Sequence, residues 1–277
     1  RGLGDVYKRQ GIMMGEKKGH WAFQPLQEPS LPANLQDDWS INPVDLFVLK
    51  SLSDAGLHPS PQAEPATLLR RLTLDLTGLP PTLEELESFE AAVTSEGSDE
   101  AYLEIVERLL ASPHYGERWG RHWLDVSRYI QGKTKVAAVD RIDMAEPYRD
   151  YVVRALNTNK PFDQFVVEQI AGDILAGASS GESHEDQLDL LAAPGFLSIG
   201  PWFADCADPN TLRMDIIDEQ ISTTTQAFLG LNFACARCHD HFFDPVPTRD
   251  YYALAGIFGS TRILKKNNSN WRDGRYR

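Results

Sequence analysis

The sequence predicts a mainly α fold, a single irregular multi-helix domain with long loops. Three observations carry this. Apolar residues recur at three- and four-residue spacing along most of the chain, and helix-starting Pro, Asn and Thr and helix-ending Gly punctuate those runs. Alternating strand patterns are scarce and there are no internal repeats. A hydrophobic fraction of 42% with 10% aromatics suffices for a sizeable core.

Taken in order, Asp5-Val-Tyr-Lys-Arg-Gln10 reads as the translation of a sequencing-library adapter, so residues 1–10 are expected to be foreign to the fold. Residues 11–41 hold Pro25, Pro29 and Pro32 and form an extended lead-in, whose Trp21 and Phe23 are expected to dock on the body. The helical domain is expected over 42–262. Asn42 caps its first helix with Pro43 at the first position; Val44, Phe47, Val48 and Leu52 give an apolar face, and Gly56 ends it. Pro65 opens a second helix with Leu68, Leu69, Leu72 and Leu76 as its stripe, stopped by Gly78 and Pro80. Thr82 and Glu85 form a capping box for a third. Asp99 to Leu110 is a fourth, with Leu103, Val106, Leu109 and Leu110 apolar.

A helix over Pro113 to Ile130 places Trp119, Trp123, Val126 and Ile130 on one side and His114, Arg118, His122 and Asp125 on another. Gln131 to Ala145 is irregular. Pro147 to Leu156 and Pro161 to Ile170 are further helices, the second capped near Asn159, and Gly177 to Glu185 is a polar loop. Asp208 to Gly230 forms a helix with Met214, Ile217, Ile221 and Phe228 on one face, and Thr248 to Phe258 forms the last. Residues 263–277 are expected to begin a downstream segment.

Between those last two helices stands Cys235-Ala-Arg-Cys-His239, a C-x-x-C-H run. Two thiols at this spacing can each add to one vinyl group of a porphyrin, and the imidazole that follows then lies under the iron as proximal ligand. The pattern points to covalent haem c on Cys235 and Cys238 with His239 on the metal. A tetrahedral zinc site is the alternative, with Cys235, Cys238, His239 and His241 as a cramped ligand set. It lacks the second ligand pair such sites use, since the remaining cysteine, Cys206, stands alone.

Acidic residues outnumber basic ones, 40 to 27, and the net charge of -13 argues against nucleic acid or an anionic membrane surface as partner. No apolar run reaches the length of a membrane span. Three cysteines are too few for a disulfide scaffold.

Several ordered stretches resemble one family. They are Leu72-Thr-Leu-Asp-Leu-Thr-Gly-Leu-Pro-Pro-Thr82, Ser112-Pro-His-Tyr-Gly-Glu-Arg-Trp119, His122-Trp-Leu-Asp125, Asn159-Lys-Pro-Phe-Asp163 and Cys235-Ala-Arg-Cys-His-Asp-His241. Together, from about His20 to Thr261, they resemble the second planctomycete-type cytochrome-like domain. The resemblance implies a large secreted protein with a cytochrome c domain upstream and a second domain of unknown function downstream. It places the family's haem-type motif on Cys235, Cys238 and His239. Two departures stand out: Phe242 replaces a lysine common after His-Asp-His, and Ile130 to Lys135 lacks the family's usual acidic and aromatic residues.

The function expected is thus a secreted haem-bearing electron-transfer domain, with an upstream cytochrome c domain or another redox protein as partner. Because thioether attachment takes place outside the bacterial cytoplasm, the location expected is periplasmic or extracellular, with a signal peptide or anchor encoded before His20. The alternatives are a catalytic domain acting on carbohydrate through Asp125, Asp215 or Asp218, and a non-haem metal-binding interaction module. For the sixth iron position, His122 ranks first, walled by Trp119 and Trp123 with Asp125 fixing its tautomer, beside an open or water-ligated iron. Met214 follows, and His241 is too close along the chain to reach the opposite porphyrin face.

Overall fold

A computed structural model describes residues 19–33, 38–130, 132–134, 139–141, 145–178, 183–200, 208–261, 271–272 and 275–276. Residues 1–10 and Cys206 lie outside the described residues. The chain folds as one mainly α domain with ten α-helices among the described residues. They are α1 (Pro43–Asp54), α2 (Pro65–Leu76), α3 (Leu83–Glu96), α4 (Ser98–Leu110), α5 (Pro113–Val126), α6 (Ala145–Asn157), α7 (Phe162–Ala178), α8 (His184–Ala192), α9 (Pro209–Leu229) and α10 (Thr248–Ser260). Short 3₁₀ turns follow α8 (Ala193–Leu197) and α9 (Ala234–Arg237). Between α5 and α6, β1 (Gly132–Thr134) pairs antiparallel with β2 (Val139–Arg141), where the sequence predicts irregular chain.

Local signals set the helix ends. Asn42 accepts from the N–H groups of Val44 and Asp45, and Asp45 accepts in return from Asn42, closing a capping box. Thr82 and Glu85 close a second at the start of α3. Four helices stop on a left-handed residue that turns the next N–H back on the last turn: Gly56, Arg128, Asn159 and Gly230. Two of these correct the expected boundaries. Arg128, at φ 54, ends α5 at Val126, so Ile130 is not on that helix. Asn159, at φ 49, ends α6 rather than capping α7. Helix α7 runs past Ile170 to Ala178, and Ser183 caps α8 within the stretch expected to be loop.

The main core lies among α5 to α10. Tyr148, Tyr151 and Val152 of α6, Phe196 of the turn after α8, Ile199 just beyond that turn, Ile221 of α9 and Tyr251 of α10 are fully buried there. Trp123 from α5 packs its ring against Phe165, Phe196 and Phe228 and donates its Nε1–H to the Tyr148 hydroxyl at 3.0 Å. Helix α5 comes this close to α6 because Gly116 is small: a Cβ there would meet the Val153 carbonyl at 2.4 Å.

A buried polar network runs through this core. Glu168, 1% exposed, accepts from the Tyr151 hydroxyl at 2.8 Å, Lys160 Nζ at 2.5 Å and Gln164 Nε2 at 2.9 Å. Burial, then the Glu168 carboxylate, push the Tyr151 hydroxyl well above the usual tyrosine range.

A smaller cluster holds α2 to α4 together, built on Leu69, Phe89 and Ala101. Within α2, Leu69 and Thr73 are buried while Leu68, Leu72 and Leu76 are half-buried. In α4 the inner stripe is Ala101, Ile105 and Leu109, and Leu103 is exposed, a correction to the sequence reading. Helix α1 buries no residue. The Trp21–Phe23 turn does not dock as expected, since Trp21 is 80% exposed.

Candidate functional site

The C-x-x-C-H run is delivered by α9. Gly230, at φ 65, ends that helix, and Asn232 Oδ1 accepts from the Ala234 N–H at 2.9 Å to begin the 3₁₀ turn Ala234–Arg237. The two residues between the cysteines anchor the turn. Ala236 is fully buried in the main core beside Phe233 and Val246. Arg237 reaches back to α9, 3.3 Å from Asp218 Oδ2 and 3.9 Å from Asp215 Oδ1. Burial works against the Arg237 charge, but these carboxylates outweigh it and hold the guanidinium above its usual value. The Tyr251 hydroxyl from α10 donates to Asp218 Oδ1 at 2.6 Å, and the Tyr252 hydroxyl donates to the Arg237 carbonyl at 3.0 Å.

With Ala236 buried and Arg237 tied back to α9, Cys235, Cys238 and His239 are all exposed, and the two cysteines are free thiols. Cys235 lies within the 3₁₀ turn and Cys238 is the residue that ends it. His239 follows directly.

The two histidines of the segment separate cleanly. The His239 Nδ1 lies 2.8 Å from the Asp240 carbonyl. A carbonyl only accepts, so Nδ1 carries the proton and the Nε2 lone pair is left for a metal, the arrangement that orients a histidine ligand. His241 is 9% exposed, and its Nδ1 accepts from the backbone N–H groups of Phe243 at 3.2 Å and Asp244 at 2.8 Å. Its own N–H donates to the Val246 carbonyl at 2.8 Å. His241 therefore pins the turn. Among the described residues no three His, Cys, Asp or Glu side chains gather to hold a metal ion, so the four-ligand zinc set is not assembled.

Asp240 was not singled out from sequence. Its carbonyl fixes the His239 ring, and its Oδ1 accepts from the Thr248 N–H at 2.8 Å, capping α10 where Pro247 offers no side-chain cap. One residue thus ties ligand orientation to a helix start. Beside it, Phe242 and Phe243 stand out from the surface in edge contact, 51% and 75% exposed.

The sixth-ligand candidates lie elsewhere. His122 is exposed on α5 with its ring 5.3 Å from that of Trp119. Trp123 is committed to the core, so it does not wall a pocket for His122. Asp125 pairs with Arg121 at 3.1 Å rather than with His122. No described hydrogen bond engages either ring nitrogen of His122. Met214 is 37% exposed, off the buried face that Ile217 and Ile221 share. The three carboxylates of the carbohydrate reading are each placed beside an arginine, Asp125 by Arg121 and Asp215 and Asp218 by Arg237.

Fold and site define a helical domain that presents two free thiols and an oriented imidazole from one anchored turn. The chain belongs to the PSCyt2 family, described as a protein of unknown function (DUF1549), whose model matches residues 43–263. No curated protein and no solved structure matches the chain. Among the described residues, no helix is long and apolar enough to cross a membrane.

Proposed function

We propose that this chain is a c-type haem-binding domain of electron-transfer type, part of a larger secreted protein. The observation that carries the proposal is the sorting of the motif. Ala236 and Arg237 hold the turn, while Cys235, Cys238 and His239 stay accessible with the His239 Nδ1 set against the Asp240 carbonyl. When bound, the haem supplies one-electron redox chemistry. The chain's own residues do the rest. Cys235 and Cys238 would hold the haem through thioether bonds and His239 would ligate its iron, with the Asp240 carbonyl placed to keep the imidazole proton on Nδ1. The exposed rings of Phe242, Phe243 and Tyr252 give the turn an apolar border suited to a flat porphyrin edge or a docking redox partner.

The partner in this reading is an upstream cytochrome c domain or a separate redox protein, and the compartment is periplasmic or extracellular. For the sixth iron position, His122, an exposed ring with no hydrogen bond on either nitrogen among the described residues, is proposed beside an open or water-ligated iron. The test is expression with a periplasmic haem-attachment system followed by a haem stain on a denaturing gel. The wild-type band should stain, and Cys235→Ala with Cys238→Ala should abolish staining. His122→Ala should turn a low-spin spectrum high-spin without changing haem content; an unchanged low-spin spectrum removes His122 from the iron.

A further inference from the structure

Away from the motif, a cleft of about 630 Å³ opens between α6, α7, α8 and α9. Its walls among the described residues are largely aliphatic, formed by Ile170, Leu188, Leu191 and Leu197. The backbone shapes it. Helix α7 is broken at Ala171 (φ -140, ψ 22), and Gly172 lets the Leu190 carbonyl of α8 come where a Cβ would sit at 2.3 Å. The volume falls within the roughly 300–1,000 Å³ of small-molecule sites.

Gln220 of α9, 1% exposed, is one of the lining residues. Its Nε2 donates to the Leu197 carbonyl at 3.0 Å, and its Oε1 is buried with no hydrogen-bond partner. Reversing the amide would set oxygen against the Leu197 carbonyl, so the orientation is fixed and an acceptor remains unmatched. A buried acceptor left this way costs about 1–3 kcal/mol, which a ligand hydroxyl or N–H would recover. The rim disfavours anions. Asp173 there has no described partner, Arg154 is held by Asp189, and Asp150 is held by Arg149.

We propose that this cleft binds a small, neutral, largely aliphatic molecule that donates one hydrogen bond to Gln220 Oε1. The inference is independent of haem binding.

The test titrates the intact chain with 1-octanol and with its isomer heptyl methyl ether, which has the same heavy-atom count and no donor. Methyl NMR shifts of Ile170, Leu191 and Leu197 report occupancy. The alcohol should saturate these shifts and bind about ten-fold tighter than the ether, the factor that corresponds to 1.4 kcal/mol for one matched hydrogen bond. Leu191→Trp, at a half-exposed position that tolerates bulk, should abolish binding with the circular dichroism unchanged. Gln220→Met should make the two probes equal. Equal affinities in the wild type, alcohol binding that survives Leu191→Trp, or no saturation up to the alcohol's solubility would each overturn the proposal; the last would assign the Gln220 oxygen to a bound water.

Discussion

The α2–α4 cluster and the α5–α10 core are both helical, yet they are held together differently. Leu69 in the first and Ile221 in the second are equally buried, at 0% exposure. Around Leu69 the fully buried apolar partners are Phe89 and Ala101, and the rest of the shell is half-exposed. Around Ile221 lies a continuous core with stacked aromatics and a satisfied Glu168 network. The C-x-x-C-H turn is built on the second region, through Ala236, Phe233 and Val246. A turn that must keep three reactive side chains accessible in fixed relative positions benefits from a base that does not yield, and the smaller cluster could not supply one.

The largest stability effect should come from the base itself. Ile221→Ala is expected to lose about 4 kcal/mol, because a close-packed surround cannot collapse into the cavity. Urea denaturation measures this, and hydrogen exchange at the Cys238 and His239 amides should accelerate. Lys160→Met comes next, at about 3 kcal/mol, because it withdraws a charged partner from a carboxylate that stays buried. Leu69→Ala should lose about 2 kcal/mol, near the low end for such truncations, and leave exchange at the motif unchanged. Equal losses for Ile221→Ala and Leu69→Ala would erase the contrast between the two regions.

Thr82→Ala should have the smallest effect, about 1 kcal/mol near neutral pH, by opening the α3 capping box. The Thr82 backbone N–H, and then Arg108, hold the Glu85 carboxyl below its usual range, although burial opposes them. A depressed carboxyl stabilises the fold above its unfolded value of about 4.3 and loses that contribution as the pH falls through the folded value. Wild type should therefore lose stability in acid in thermal melts taken across that range, and Thr82→Ala, which keeps the residue-82 N–H and Arg108, should lose it in parallel.

Much of the helical framework was legible because its signals are local. Asn42 with Pro43, Thr82 with Glu85, and Gly230 each act through hydrogen bonds within a few residues. Arg128 was not legible. It performs the helix-ending role usually given to glycine, and the α5 apolar pattern continued past it. Asn159 carries a double signal, as cap and as left-handed residue, and the second prevailed. At the site, the thiols and His239 stood out by spacing, whereas the roles of His241 and Asp240 depend on contacts to Val246 and Thr248 that no short pattern encodes. Trp123 illustrates the opposite error: an aromatic next to a histidine suggested a pocket wall, and the Tyr148 and Phe196 rings claimed it for the core.

The central claim is that the anchored turn carries covalent haem with His239 as its ligand. A pyridine haemochrome spectrum of the chain made with a periplasmic haem-attachment system tests it most directly. The spectrum should show c-type haem at one equivalent per chain, lost in Cys235→Ala with Cys238→Ala and retained but ligand-altered in His239→Ala. A colourless wild-type protein from cells that load a control cytochrome would contradict the claim.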